Sequence, residues 1–231
     1  MAKILNIETS TRICSVSLGD GAKILASREQ RDTFEHAKIL HPYITEILSE
    51  AGLDYPELDA VAVSEGPGSY TGLRIGVSAA KGICYSQDIP LIAISTLQAM
   101  VMHAIDELNP TDGLLAPMID ARRQEVYTAV FDGEGSQVKP VAAEIINQNS
   151  LEEYSKAKKV FYFGDGAEKC RNTFQQVENM RYHEGGFPSA AYMNTLAQGK
   201  YNAGDFVDVA YFEPFYLKDF IAGTPKVKGL K

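Results

Sequence analysis

The chain is poor in the residues that build metal sites and disulfide frameworks. Its 231 residues include three cysteines and four histidines. Cys14, Cys84 and Cys170 lie far apart, form no CxxC pair and are odd in number, which argues against both a zinc site and a disulfide scaffold. They read instead as small buried thiols in a reducing compartment. His36 and His41, five residues apart, fall on different faces of a helix, and His103 and His183 stand alone. The histidines therefore read as surface or capping groups with no shared metal. There is no HExxH, no nucleophile elbow and no Ser-His-Asp order. The opening segment runs into a strand pattern without the ~7–15-residue apolar run of a secretory signal, and nowhere do ~18 apolar residues follow one another. A cytoplasmic protein that does not span a membrane is expected.

Basic residues are also in deficit. There are 22 Lys and Arg against 30 Asp and Glu, for a formal charge of −8. An acidic surface repels phosphate backbones, which argues against independent nucleic-acid binding; such a role would need a basic partner to supply the contacts. Hydrophobic residues, by contrast, make up 45% of the chain, enough for a substantial core in one large domain or two modest ones.

The first half follows one order. Ile4 to Ile7 is a short apolar run, broken by the hydroxyls of Thr9, Ser10 and Thr11. Cys14 to Leu18 alternates as a strand, Gly19-Asp20-Gly21 supplies a turn, and Ile24 to Arg28 reads as the return strand. From Phe34 the period changes: Ala37, Leu40, Ile44, Ile47, Leu48 and Ala51 recur at three and four residues, an amphipathic helix closed by Gly52 and interrupted or kinked by Pro42. The strand Ala60 to Val63, a glycine-rich turn, a helix to about Gln87, the strand Leu91 to Ile94 and the helix Thr96 to Leu108 follow. The order β-β-β-α-β-α-β-α predicts an α/β protein, a mixed sheet with helices on its faces. It matches the ribonuclease-H-like half domain of the actin, Hsp70 and sugar-kinase superfamily.

The turn-rich stretch Asn109 to Gly113 predicts a boundary between lobes 1–109 and 110–231. Beyond it, Leu114 to Ile119, Glu125 to Phe131 and Val160 to Phe163 read as strands. Ala167 to Val177 reads as helical, and Ser189 caps a helix running to Ala203. The tail from Ala222, with Lys226, Lys228 and Lys231, reads as frayed. No internal repeat or low-complexity tract is visible.

Two stretches carry candidate chemistry. Glu8-Thr9-Ser10-Thr11 sets a carboxylate and hydroxyls at the end of a strand. Such a group can grip phosphate and hold magnesium through water, or it can be a polar strand end bonded to its own turn. The stretch Gly66 to Gly76 (Gly66-Pro67-Gly68-Ser69-Tyr70-Thr71-Gly72-Leu73-Arg74-Ile75-Gly76) is more specific. Pro67 between two glycines makes a tight turn and Ser69 caps the following helix, but neither a Walker loop nor Gly-x-Gly-x-x-Gly is present. Gly72, Gly76 and Gly82 within the helix cost ~0.5–1 kcal/mol each relative to alanine. A helix accepts that loss where its backbone comes close to something. The stripe Gly72, Gly76 and Ala80 marks the place, and the neighbour can be the chain's own sheet, its first helix or a partner.

Ile4 to Thr11, Cys14 to Leu18, Gly66 to Gly76 with Ala80-Lys81-Gly82, Pro117 to Tyr127 and Pro214-Phe215-Tyr216-Leu217 together resemble the bacterial TsaB (YeaZ) family over residues 1 to about 217. The resemblance implies a two-lobed actin-like fold and a non-catalytic paralogue of the transferase TsaD. With TsaD and the ATPase TsaE, that family serves threonylcarbamoyl transfer to adenosine 37 of tRNAs reading ANN codons. It implies contacts, with TsaD or with a second copy, through the first two helices of the N-terminal lobe: His36, Leu40, Tyr43, Ile47, Gly68, Tyr70, Gly72, Leu73, Gly76 and Ala80. It implies no catalytic residue, metal or cofactor in the isolated subunit, ATP or ADP only at the joint surface, and tRNA met only indirectly, through the complex. The chain departs from the wider pattern at several points. Thr96 and Met100 stand where TsaD-type proteins carry two histidine ligands, and Asp120-Ala121-Arg122-Arg123 replaces an Asp-Gly phosphate loop. Glu8 stands where aspartate is usual, which leaves Glu8, Thr9, Ser10 and Thr11 as a degenerate phosphate-loop region, and Lys218 replaces an arginine. The alternatives are an ATP-dependent kinase of the same fold and a glycoprotease-like metallopeptidase.

Overall fold

The computed structural model describes residues 1–110 and 112–218. Its strands form two five-stranded mixed sheets. In the first, β1 (Lys3–Glu8), β2 (Cys14–Asp20) and β3 (Lys23–Gln30) make an antiparallel meander. Then β4 (Ala60–Gly66) and β5 (Leu91–Ser95) add in parallel beyond β1, giving the order β3-β2-β1-β4-β5. In the second, β6 (Gly113–Asp120), β7 (Glu125–Phe131) and β8 (Gln137–Ile145) form the meander. There β9 (Lys159–Phe163) and β10 (Met180–Tyr182) add in parallel, in the order β10-β9-β6-β7-β8. Counted from its own first strand, each sheet has the same connectivity, so the molecule repeats a plan that its sequence does not display.

The helices differ between the halves. The first sheet carries α1 (His36–Ala51), α2 (Tyr70–Gln87) and α3 (Thr96–Leu108), whereas the second carries α4 (Glu152–Ala157), α5 (Arg171–Phe174) and α6 (Ala190–Ala203). Gly52 ends α1 in the left-handed conformation and its N–H donates to the carbonyls of Leu48 and Ser49, as a glycine cap does. Pro42 neither splits nor restarts α1, because Leu40, Ile44 and Ile47 on either side of it are fully buried and hold the helix to the sheet. The expected helix from Ala167 to Val177 is only a 3-10 turn, Glu168–Cys170, followed by the four residues of α5. Strand β8 went unread because its residues are half-buried or exposed, which erases the alternation that marks a strand; α4 and β10 are too short to carry a period. The tail from Ala222 lies outside the described residues.

Both faces of the first sheet are buried, as near-continuous apolar strands require. Leu5, Ile7, Val16 and Leu18 meet Leu40, Ile44 and Ile47 of α1 and Val77, Ala80 and Ile83 of α2. On the other face Ile4, Ala60, Ala62, Ile92 and Ile94 meet Ala190, Met193 and Ala197 of α6. Helix α3 turns the other way and packs Leu97, Met100, Val101 and Ala104 against Leu115, Ile119 and Phe131 of the second sheet. A division near residue 110 thus separates the sheets but not the helices. Two strand hydroxyls secure the crossing: Ser15 Oγ accepts from Ala190 N at 2.9 Å and Ser17 Oγ donates to Ala190 O at 2.8 Å. Ser189 makes no side-chain cap bond, so the expected N-cap role falls to Ser15, from a strand 175 residues earlier in sequence. No helix of the described residues is long and apolar enough to cross a membrane.

Candidate functional site

The glycine-rich stretch is built against strand one. Gly66 closes β4 at φ +115°, a conformation reserved for glycine, and the chain then turns onto the β1–β2 connection. A Cβ on Gly68 would fall on the Ser10 carbonyl, one on Gly72 on the Thr9 carbonyl, and one on Gly76 on the Thr9 hydroxyl. The contact is also bonded: Ser69 N donates to Ser10 O at 2.6 Å, and Thr9 Oγ1 donates to Gly72 O at 2.8 Å. Ser69 caps α2 as expected, its hydroxyl accepting from Gly72 N at 3.3 Å. The stripe Gly72, Gly76 and Ala80 is consumed by the chain's own sheet.

The same packing decides the phosphate reading of the strand end. Glu8, Thr9 and Ser10 have no exposed surface and Thr11 only 8%. The Ser10 carbonyl and the Thr9 hydroxyl are already engaged by α2, and Glu8 Oε1 accepts from Ser10 N at 2.6 Å. Glu8 Oε2 and the hydroxyls of Ser10 and Ser64 are buried without hydrogen-bond partners, inside a volume that the glycines close. A phosphate chain and its magnesium do not fit here. Burial raises the Glu8 pKa and outweighs the lowering influence of the Ser10 amide and of the nearby Ser10 and Ser64 side chains.

Of the residues expected at a partner interface, Leu40, Ile47 and Leu73 are core residues with at most 1% exposure, and Ala80 has none. Gly72 and Gly76 are buried, and His36 points inward to Ile13 O at 3.3 Å. These seven present nothing outward. Tyr43, Gly68 and Tyr70 are half-buried; Tyr43 bonds Gln30 at 3.2 Å, and Tyr70 lies beneath Arg74 and beside Tyr216. The outward face of α2 is carried instead by Ile75, Ser78, Gly82 and Tyr85, with His41 of α1 alongside. A shallow groove of about 540 Å³ is lined by His41, Tyr55, Ile75, Ser78, Gly82 and Ile83. Tyr85 is 86% exposed, and a Cβ on Gly82 would meet nothing within 4 Å. The sequence did hold this signal: 75, 78, 82 and 85 recur at helical spacing, on the face opposite the stripe that drew attention.

Three further features have chemical interest. Thr96 and Met100, in place of the two histidine ligands, are both fully buried, and no group of three or more metal-ligating side chains exists among the described residues. Of the four histidines expected at the surface, His41 is exposed, whereas His36, His103 and His183 are internal or bonded. His103 Nδ1 lies 2.7 Å from Phe187 O, and Glu107 receives His183 Nε2 at 2.7 Å and Gly186 N at 3.1 Å. Burial alone would raise the Glu107 pKa, but the His183 bond, the charges of His103 and His183, and the Gly186 amide hold it below the usual carboxylate value. Finally, the β6–β7 turn projects Arg122 and Arg123 into solvent, both at positive φ.

Two like-connected mixed sheets joined by crossing helices define the actin-like class of proteins. The activator of 2-hydroxyisocaproyl-CoA dehydratase from Clostridium difficile, solved with bound ADPNP, superimposes with a TM-score of 0.52 at 9% identity, over 88% of this chain and 97% of that one. Within that class, the family model described as TsaD, tRNA N6-adenosine threonylcarbamoyltransferase, matches residues 24–223. The tRNA threonylcarbamoyladenosine biosynthesis proteins TsaB of Haemophilus influenzae and Escherichia coli are 33% and 30% identical to this chain. The alignments cover 94% and 95% of it and 93% and 96% of the relatives. YeaZ from Pseudomonas aeruginosa superimposes with a TM-score of 0.78 at 27% identity, over 94% of this chain and all of that one. The chain belongs to the TsaB (YeaZ) family of tRNA threonylcarbamoyladenosine biosynthesis proteins.

Proposed function

We propose that this chain is the non-catalytic partner subunit of a TsaD-type transferase, acting with the ATPase TsaE in threonylcarbamoyl transfer to adenosine 37 of tRNAs that read ANN codons. It pairs through the outward face of α1 and α2, forms a homodimer when alone, and works in the cytoplasm. It meets tRNA only within the assembly, and holds no cofactor of its own; ATP or ADP belongs to the joint surface. The observation that carries this reading is the outward face of α2. Gly82 sits mid-helix with open space around it, and Tyr85 stands exposed one turn on. A helix loses ~0.5–1 kcal/mol by carrying such a glycine, and nothing among the described residues requires it. A second backbone or side chain seated on that face would. Exposed aromatic anchors are a usual feature of such surfaces. The phosphate grip closed at Glu8, and Thr96 and Met100 at the ligand positions, support a role without chemistry.

The test is Gly82→Arg. The substitution is expected to raise the melting temperature slightly, because arginine is the better helix former. It should abolish co-elution with a TsaD-type subunit in sizing chromatography and, with it, tRNA modification in the reconstituted mixture. A variant that still assembles and supports full modification would remove the face from the proposal.

A further inference from the structure

The β6–β7 turn is the counterpart, in the second sheet, of the β1–β2 turn that α2 buries in the first. Among the described residues no long helix lies over it, and Arg122, Arg123 and Gln124 are exposed. Neither guanidinium has a hydrogen bond, ion pair or ring partner among the described residues. Both sit at positive φ, 68° and 53°, where Asn and Gly are the favoured residues and arginine is not. The turn is nevertheless held. Ala121 N donates to Glu125 O at 3.0 Å, Glu125 N to Arg122 O at 3.2 Å, and Arg122 N to Asp120 Oδ1 at 2.9 Å. Lys169 Nζ meets the Asp120 carboxylate and the carbonyls of Arg123 (3.1 Å) and Glu125 (2.7 Å). The acids at the base of the turn are therefore answered internally, Asp120 by Lys169 and Glu125 by Lys218. Among the described residues neither guanidinium is paired with an acid, on a chain whose formal charge is −8.

Their position has a second meaning. The segment after α6 crosses back over the first sheet: Lys81 Nζ holds the carbonyls of Ala210 and Phe212, Phe215 N donates to Glu65 O, and Tyr216 lies on Tyr70. Lys218 at its end grips Glu125. The arginine turn is thus tied to the N-terminal end of α2, beside the face proposed for the partner. A pair of free guanidiniums on a clamped turn is suited to phosphate, whose oxygens they meet in bidentate geometry.

We propose that Arg122 and Arg123 bind the phosphodiester backbone of the RNA in the assembled complex, as an accessory contact beside the partner's own. This rests on the subunit reading above, since an acidic chain does not hold RNA unaided. The experiment uses this chain with its TsaD-type partner. Assembly is verified by sizing chromatography, and affinity for a fluorescein-labelled tRNA is then read by anisotropy across a salt series. Two double variants are compared with wild type: Arg122→Gln/Arg123→Gln, and Arg122→Asn/Arg123→Gly, which suits the backbone and is expected to melt higher. Both should assemble normally and bind tRNA roughly 3–10-fold more weakly, with the slope of log K against log salt reduced by about 1 to 2. Assembly with unchanged affinity and slope overturns this proposal alone. Variants that stay folded but lose the partner also overturn it, assigning the arginines to an acidic protein surface. A wild-type chain that fails to assemble overturns the subunit reading, and this proposal with it.

Discussion

The two sheets share one connectivity and even one turn: β4 ends in Gly66-Pro67-Gly68 and its counterpart β9 leads into Gly164-Asp165-Gly166. Gly66 and Gly164 both lie at positive φ, 115° and 97°. In each case the second glycine presses on the end of the sheet's first strand, Gly68 on Ser10 and Gly166 on Ile119. The halves part at the next step. In the first, an 18-residue helix follows and buries the neighbouring hairpin; in the second, a 3-10 turn and four residues of α5 follow, and Arg122, Arg123 and Gln124 at the hairpin tip are exposed among the described residues. A duplicated sheet thus presents a long helical face on one side and an exposed basic turn on the other. The length of one crossover helix decides which surface each half offers.

The comparison breaks first where the second half is thinnest. Phe174, 1% exposed in the short α5, is the largest side chain that this region contributes to the second core. Phe174→Ala is expected to destabilise the protein by about 3–5 kcal/mol, read from urea unfolding; a loss below about 1 kcal/mol would mean that the stub does not hold its sheet. The next largest effect contrasts two glycines of one helix. Gly76→Ala drives a methyl into Thr9 and should cost about 1–3 kcal/mol, whereas Gly82→Ala, facing open space, should gain about 0.5–1 kcal/mol. Equal effects in thermal melts would refute the assignment of an inward and an outward side to α2.

The smallest effect lies at the joint, where Glu107 of α3 meets His183 and the Gly186 amide. Its carboxyl is held below the ordinary value, so its contribution is complete above the usual carboxylate pKa and is lost as pH falls through the lowered one. The group is more than a third exposed, and screening keeps the contribution small. Glu107→Gln should leave neutral stability little changed and flatten the acid limb of the melting curve. An acid limb identical to wild type would show that the clamp adds nothing. Glu8 has the opposite sign. Its raised pKa makes the folded state the better proton binder, so its contribution is present in acid and declines as pH rises from the ordinary carboxylate value toward the raised one.

Much of the fold was legible, for identifiable reasons. Helix α1 announced itself through the spacing of Leu40, Ile44 and Ile47 and through Gly52, and α2 through Ser69, because caps and periodicity act over a few residues. The second half was read less well. Strand β8 is half-buried along its length, and α4 and α5 are shorter than the periods that would reveal them. The stripe on α2 was legible as a packing surface, and what it packs against was not. Gly72, Gly76 and Ala80 are correctly a close-packing stripe, but a spacing of four says only that something comes near, and the neighbour proved to be Thr9.

What the sequence determined by itself is whatever depends on neighbours along the chain: the order of strands and helices in the first half, the glycine turn after β4, and the motifs that mark the family. Tertiary structure alone decided which side of α2 is inside, that the glycines and Ser10 close the space at Glu8, that α3 and α6 each cross to the other sheet, and that Arg122 and Arg123 meet no acid among the described residues. Those outcomes rest on contacts between separate elements, 63 positions apart for Thr9 and Gly72 and 175 for Ser15 and Ala190. Such contacts form where whole faces meet and exclude water, and no local pattern in the sequence records which faces those are.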